Sequence, residues 1–150
     1  MSELKLLALD SDDLSVISAY TQDAILRVSD MGFSKSDNRF VLLLNRYVWE
    51  TDKKQKRKKD KGQRRRSALR FDFVQHVQAK GFDLKAVDGV LELLSIEFRK
   101  TPDSENDPSG IITLNFAGGA TLRLEVECLE ARIHDLGAAW RASARPNHDI

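Results

Sequence analysis

The sequence predicts an α+β fold in which an antiparallel β-sheet dominates, with one helix in the amino-terminal region and one at the carboxyl end. Three observations lead to this prediction: strict alternation over Ile111–Cys128, strand-like runs at Phe40–Trp49 and Ser67–Ala79, and a short amphipathic stretch after Ser11. Alternation of period two is typical of strands with one buried face, whereas apolar residues three or four apart indicate a helix. We therefore expect hairpin-connected strands with two helices packed on the sheet.

The clearest element is a β-hairpin at Ile111–Cys128. Ala117-Gly118-Gly119 divides this stretch into two runs, and glycine adopts the positive φ values of a tight turn without a Cβ clash. Polar residues separate the apolar ones in both runs, so one face should be buried. The inward residues are predicted to be Ile112, Leu114, Phe116, Ala120, Leu122, Leu124, Val126 and Cys128.

The amino-terminal region predicts a strand followed by a helix. Ser11 is the expected N-cap, because its hydroxyl can accept from a backbone N–H at the start of the helix, and acidic residues follow it. An apolar face at three-residue spacing would cover the sheet. The predicted elements are an edge strand at Leu4–Leu9, the helix face Leu14, Ile17 and Tyr20, a strand at Ala24–Val28 and a turn at Ser36–Asn38.

Phe40–Trp49 begins with five consecutive apolar residues, which favours a central strand covered on both faces over its first half. Ser67–Ala79 is predicted to be its partner strand, and the intervening residues to be the loop that joins them. Val90–Phe98 resumes alternation after a turn at Val87–Gly89. The residues predicted to face inward are Leu69, Phe71, Phe73 and Val77 in the second strand and Leu94, Ile96 and Phe98 in the third.

Leu129–Trp140 fits two interpretations. Its apolar residues fall at i, i+4, i+7 and i+11, which fits a helix, while Leu129, Ala131 and Ile133 also fit a strand after a bulge. We prefer the helix. A sheet closed by a carboxyl-terminal helix suits a partly closed barrel of pleckstrin-homology type by analogy, with a split barrel or a flat two-layer sandwich as alternatives.

Length and composition indicate one domain over residues 1–150. A chain of 150 residues can bury about two thirds of its unfolded surface, so one core is enough. Hydrophobic residues at 41% and charged residues at 31% fit a soluble globular protein, and no apolar run is long enough to cross a bilayer. The amino terminus does not resemble a signal peptide, and a single cysteine excludes an internal disulfide. We expect a cytoplasmic protein.

The net charge of +1 hides a strong segregation of charge. Residues 53–66, which we call the basic segment, contain ten basic residues and one acidic residue, for a charge of +9. The rest of the chain has 14 basic and 22 acidic residues, for a charge of −8. The basic residues of the segment are Lys53, Lys54, Lys56, Arg57, Lys58, Lys59, Lys61, Arg64, Arg65 and Arg66.

A basic surface loop of this kind favours a non-enzymatic binding or adaptor module. Its cations could neutralise the phosphates of nucleic acid or contact an acidic protein surface or an anionic lipid surface. The segment has no aromatic residues to stack on bases, so such binding would be insensitive to sequence. The simpler interpretation is a solvated insertion between two strands, which a surface loop tolerates at little entropic cost.

A small-molecule-binding or enzymatic domain is the alternative, with a pocket between sheet and helix lined by Asn45, Arg46 and His76. We assign no catalytic residue, because the exposed carboxylates near Glu125 lack the burial that raises the pKa of an acid catalyst. The histidines and Cys128 form no metal-ligand spacing. The sequence therefore predicts neither a metal site nor a cofactor.

Three parts of the chain together resemble a bacterial family known as domain of unknown function 2948. The resemblance spans nearly the whole chain, and it implies a short, cytoplasmic, single-domain protein with no assigned catalytic residues. Within the basic segment, the three arginines fit the family better than the lysine-rich run does. The residues that carry the resemblance are Leu6–Asp10 with Asp13–Ala19, Leu44–Arg46 with Trp49-Glu50 and Arg64–Leu69, and Phe116–Gly119 with Val126–Arg132.

Overall fold

The structure is a computed structural model that describes residues 3–48, 63–101 and 106–141. Ten strands and one α-helix account for most of these residues. The strands are β1 (Lys5–Ala8), β2 (Ala24–Arg27), β3 (Met31–Ser34), β4 (Arg39–Tyr47), β5 (Gln63–Phe71), β6 (Val74–Lys80), β7 (Val90–Lys100), β8 (Gly110–Phe116), β9 (Thr121–Val126) and β10 (Ala131–Arg141), and the helix is α1 (Ser11–Thr21).

All ten strands belong to one antiparallel sheet. Their order is β1-β10-β5-β4-β2-β7-β8-β9-β6, and β3 pairs with β4 beside this path. Strand β4 is interior, as predicted, with one face buried and the other partly covered. Inward side chains from both halves of the sheet and from α1 form a hydrophobic core cluster. The sheet remains open between β1 and β6, so the analogy with a closed pleckstrin-homology barrel is not confirmed.

The predicted hairpin is confirmed as β8 and β9. Strand β8 pairs with β9 from Gly110↔Val126 to Asn115↔Thr121. The predicted inward residues of both strands are buried, and Cys128, beyond the end of β9, is half-buried. Gly118 and Gly119 have φ of 83° and 86°, the left-handed region that the turn requires.

Helix α1 covers the sheet as predicted but is capped one residue earlier. Asp10 has an extended backbone and accepts from the Asp13 N–H at 2.8 Å, whereas Ser11 is already helical. A cap must lie outside helical φ/ψ, so Asp10 is the N-cap and the prediction of Ser11 was wrong. The Ser18 hydroxyl accepts from the Ile96 N–H of β7 at 2.9 Å. Within the described ranges, no helix has the length and apolar character to cross a membrane.

The preferred helix over Leu129–Trp140 was wrong, because Ala131–Arg141 form β10. This strand pairs with β1 on one side and β5 on the other, with Leu6↔Ile133 and Ile133↔Leu69 in register. A helix here would leave backbone groups of both neighbouring strands without these partners, which is costly in a buried sheet. The register shifts between Leu136 and Trp140, and Gly137 has a φ of 70° at that point.

The predicted strand over Ser67–Ala79 is two strands, β5 and β6. The strand is interrupted at Asp72 and Phe73. Phe73 has a φ of 60°, and its side chain is exposed rather than inward as predicted. The break is fixed by backbone hydrogen bonds from Asp72 to Glu130, from Glu127 to Phe73 and from Val74 to Asn38, at 2.7–3.1 Å. As a result β5 joins β4 and β10, while β6 joins β9.

A bulge changes the predicted inward residues of β7. The pairing of β7 with β8 shifts between Leu93 and Ser95, so Leu93 is buried and Leu94 is exposed. After the bulge the prediction holds, because Ile96 is buried and Phe98 packs against the core. One extra residue in a strand reverses the faces of the residues that precede it.

We expect Leu124→Ala to destabilise the protein by about 2–5 kcal/mol, because truncating a buried leucine loses transfer free energy and leaves a cavity. Leu124 is fully buried in β9, whereas Arg123 next to it is exposed. Arg123→Ala is therefore the matched control and should have little effect. Urea unfolding of both variants measures the difference. Equal losses of stability would contradict the inward face described above.

Candidate anion-binding site at the end of a hairpin

The end of the β4–β5 hairpin is the place where the described part of the basic segment begins. The two strands pair continuously from Phe40↔Phe71 to Tyr47↔Arg64. Beyond the last pair, the Val48 N–H donates to the Gln63 carbonyl at 2.8 Å. The pairing of the two strands therefore holds Val48 and Gln63 next to each other.

The sheet begins earlier in the basic segment than the sequence predicts. Gln63–Arg66 belong to β5, where the three arginines face Tyr47, Arg46 and Asn45 of β4. Long arginine stems can pack along a strand while the guanidinium reaches a polar partner, so consecutive arginines do not end a strand. The other cations of the segment lie outside the described residues; they are Lys53, Lys54, Lys56, Arg57, Lys58, Lys59 and Lys61.

Arg46 and Arg65 point to the core side of the sheet, where they meet the carboxylate of Asp135 on β10. Arg46 donates to both carboxylate oxygens, from Nε and Nη2, each at 2.8 Å. Arg65 Nη1 lies 3.5 Å from Oδ2, and the Ser67 hydroxyl donates to Oδ1 at 2.6 Å. The side chains of Arg46 and Asp135 are almost completely buried. This is a two-point ion pair in the interior, reinforced by a neutral donor.

Asp135 also holds the backbone of Leu4, the residue before β1. The Leu4 N–H donates to Oδ2 at 2.8 Å, and the Asp135 N–H donates to the Leu4 carbonyl at 3.0 Å. Burial alone would raise the pKa of Asp135, but the hydrogen bonds from Arg46, Ser67 and Leu4 outweigh it and hold that pKa at about 2. The carboxylate is therefore ionised at neutral pH.

Arg64 and Arg66 point to the opposite, outer face of the hairpin. Arg64 Nη1 donates to the Asn45 carbonyl at 2.9 Å, and its guanidinium lies 5.8 Å from the centre of the Tyr47 ring. Burial lowers the pKa of Arg64, while nearby Asp23 and Glu92 act in the opposite direction. Arg66 donates to Asn45 Oδ1 at 3.2 Å.

Two of the three strand arginines are therefore not available to a large ligand. Arg64 and Arg65 are each only 7% exposed, whereas the side chain of Arg66 is 37% exposed and lies 3.3 Å from Asp30. Of the predicted anion-binding residues in the described part of the chain, Arg66 is the one on the surface.

The structure does not bring together the predicted pocket residues. Asn45 and Arg46 are neighbours on β4 and therefore point to opposite faces of the sheet. His76 is on β6 at the far end of the sheet, opposite Glu125 of β9. Arg46 is held by Asp135 in the core rather than facing a cavity.

The sequence reasoning missed Asp135. The sequence does contain a signal for it. If Ala131–Asp135 forms a strand, Asp135 lies on the same inward face as Ala131 and Ile133. An acid on a buried face requires a cation, and Arg46 was already a candidate. The preference for a helix over these residues concealed the pair.

Cys128 has the character of a structural thiol rather than a nucleophile. It is half-buried, and burial raises its pKa, with the charges of Glu130 and Glu127 acting in the same direction. A raised pKa lowers the thiolate fraction on which reactivity depends. Among residues 3–48, 63–101 and 106–141, no three His, Cys, Asp or Glu side chains cluster in a way that could hold a metal ion.

Because Asp135 has its pKa lowered on folding, its ionised form stabilises the protein above pH 4, and this contribution is lost as pH falls toward 2. A depression from 3.8 to about 2 corresponds to about 2 kcal/mol. We expect Asp135→Asn to lose about 3–5 kcal/mol at neutral pH, because it leaves buried arginines without their carboxylate.

The variant should also lose less stability than the wild type between pH 4 and pH 2. Asp88→Asn, at an exposed position in the turn before β7, is the control and should follow the wild-type pH profile. Chemical unfolding at a series of pH values measures both effects. An Asp135→Asn variant as stable as the wild type would contradict the role assigned to this ion pair.

Comparisons with known proteins identify a family without an assigned activity. Neither the curated proteins nor the solved structures contain a match to this sequence. The family described as "Protein of unknown function (DUF2948)" matches residues 4–148, which is nearly the whole chain. The resemblance seen in the sequence is thus confirmed, and the chain belongs to the DUF2948 family.

Proposed function

We propose that this protein is a non-enzymatic binding or adaptor module that engages an anionic partner, and that this partner is nucleic acid. The observation that carries the proposal is the attachment of the basic segment to the end of a completely paired hairpin. In the sequence, seven cations lie between residues 53 and 61, and the residues that flank this stretch in the structure, Val48 and Gln63, are joined by a hydrogen bond. Cations connected to the sheet at these two points, together with Arg66, would concentrate positive charge near the hairpin end.

The composition of the basic segment favours nucleic acid over an acidic protein surface. Residues 53–66 contain no apolar side chain. The centres of protein–protein interfaces are enriched in aromatic residues, methionine and arginine and depleted in lysine, whereas contacts to phosphates need only cations and other donors. A lysine-rich segment without apolar residues therefore fits a phosphate backbone better. Binding should depend strongly on salt and weakly on base sequence.

The buried ion pair argues against the alternative of a pocket between the sheet and α1. Such a pocket would use Arg46, whose guanidinium donates twice to Asp135 and lies 6.0 Å from the centre of the Tyr20 ring of α1. A ligand there would have to displace a buried carboxylate, at a large free-energy cost. No described contact favours that alternative.

The proposed module acts as one domain. The continuous pairing of ten strands and the hydrophobic cluster shared by both halves of the sheet support this part of the proposal. A single sheet would hold Val48 and Gln63, the two residues that flank the undescribed stretch, in a constant relation to Arg66 and to the rest of the outer face of β5.

We expect replacement of Lys53–Lys61 by a glycine-serine linker of equal length to reduce nucleic-acid affinity sharply and to leave the melting temperature nearly unchanged. If about five cations contact phosphates of duplex DNA, the wild-type logarithm of affinity should fall against the logarithm of salt with a slope of about −4 to −5. Each lost contact should make that slope shallower by about one. Fluorescence anisotropy with labelled DNA and RNA measures the slope.

A variant with the residues of 53–61 in scrambled order is the matched control. It keeps the charge and should bind like the wild type. Wild-type protein that binds neither DNA nor RNA at low salt would refute the nucleic-acid proposal. Binding to an acidic protein surface under the same conditions would then identify the other class of partner.

A further inference from the structure

A groove of about 380 Å³ lies on the outer face of β1, β10 and β5, away from the hairpin end. Four nitrogen-bearing side chains line it: Lys5, Arg70, Arg132 and His134. Leu7 contributes an exposed apolar wall. The described lining contains no acidic residue.

The register of the sheet explains why these side chains meet. Lys5 faces His134 across the β1–β10 pair, while Arg132 faces Leu7 on one side and Arg70 on the other. Residues directly opposite each other in antiparallel strands share a face and have Cβ atoms about 4.5–5.5 Å apart. The groove therefore belongs to the folded sheet and does not depend on a loop conformation.

Arg70 and Arg132 form a like-charge pair that the nearby acids neutralise incompletely. Like charges directly opposite each other destabilise a sheet. Arg70 lies 3.1 Å from Asp72, but Asp72 also pairs with Arg39 at 2.8 Å. Arg132 lies 3.7 Å from Glu130, at the outer limit of an ion pair, and its side chain is 48% exposed.

Lys5 adds a third cation without a described acidic partner. No ion pair joins it to an acid in residues 3–48, 63–101 and 106–141. Two guanidinium groups and one ammonium group thus converge on one groove. Arginine matches the geometry of phosphate oxygens with paired N–H donors, and lysine adds a point charge.

We propose that this groove is a phosphate-binding subsite that takes a backbone phosphate of the nucleic acid engaged by the basic segment, an inference that rests on the proposed function. The position of Arg66 supports a link between the groove and the basic segment. Arg66 lies on the same outer face of β5 as Arg70 and is four residues closer to the hairpin end. At about 3.3 Å per residue, this separation is about 13 Å. A polyanion bound at the hairpin end would pass over Arg66 and reach the groove.

The double variant Arg70→Gln and Arg132→Gln tests the subsite. Its binding to a labelled deoxythymidine oligonucleotide of about 15 nucleotides is measured over a range of salt concentrations. We expect a salt slope shallower by about 0.7 than that of the wild type, because about 0.7 is the contribution of one phosphate contact on a single strand. The control is the double variant Arg99→Gln and Arg123→Gln, which removes the same charge from exposed outer-face positions on β7 and β9.

A second measurement probes the groove itself without nucleic acid. Replacing chloride by inorganic phosphate at equal ionic strength should raise the melting temperature of the wild type and of the control by more than that of the groove variant, which keeps only the general stabilising effect of phosphate and its contacts with the remaining cations. If the groove variant proves poorly folded, Lys5→Gln replaces it, because Lys5 has no described ion pair to lose, and it should weaken the binding and make the slope shallower in the same direction.

The outcomes separate this inference from the proposed function. Equal slopes for the groove and control variants, with binding still lost in the linker variant, would overturn the subsite and leave the proposed function standing. No binding of the oligonucleotide by the wild type would overturn both. Binding of phosphatidylserine vesicles in place of the oligonucleotide would overturn the nucleic-acid subsite and identify a lipid surface as the source of the phosphate.

Discussion

The carboxylate of Asp135 is the point at which the half of the sheet formed by β1, β10, β5 and β4 is held together. It accepts from Arg46 on β4, from Ser67 on β5 and from the backbone of Leu4, and so joins three strands and the residue that precedes β1 through one side chain. Its own backbone returns a hydrogen bond to Leu4. A buried carboxylate and guanidinium add less to stability than their number of contacts suggests, because both must lose water. Their stronger effect is on specificity: a shift of β10 by one residue would turn Asp135 outward and leave the charge of Arg46 in the core.

The same alternation that buries Asp135 makes the two faces of β4, β5 and β10 chemically different. The inner face is apolar apart from the ion-pair cluster, and the outer face carries Arg66 and Arg70 on β5 and Arg132 on β10. Stability and proposed binding are therefore carried by alternate residues of the same strands. Arg65 and Arg66 illustrate this division: one contacts Asp135 in the interior, while its neighbour contacts Asn45 near the surface. Arginine content alone does not reveal the division, because burial depends on the parity of each residue in its strand.

The sequence was sufficient for the parts of the fold that local alternation determines. The hairpin at β8 and β9, the interior position of β4, and α1 were predicted because their patterns need no information from distant residues. The failures have a common origin in long-range pairing. Leu129–Trp140 fits a helical period, but the backbone groups of β1 and β5 require a strand from Ala131 onward. The break at Phe73 and the bulge near Leu94 likewise depend on partners far along the chain. For the candidate site, composition located the basic segment, while the burial of Arg64 and Arg65 and the cationic groove could be seen only after the strand register was known.

The hydrogen bond between Val48 and Gln63, which ends the pairing of β4 with β5, has a consequence for evolution. Since the hydrogen bond between these residues completes the hairpin, the sheet places no requirement on the length of the chain that connects them. The free energy of closing a loop rises by only about 0.6 kcal/mol for each doubling of its length. Insertions and deletions of lysines at this position would therefore be almost neutral for folding while changing the charge presented to a partner. The hairpin end is a place where the DUF2948 fold can vary its electrostatic character one residue at a time, independently of the core that supports it.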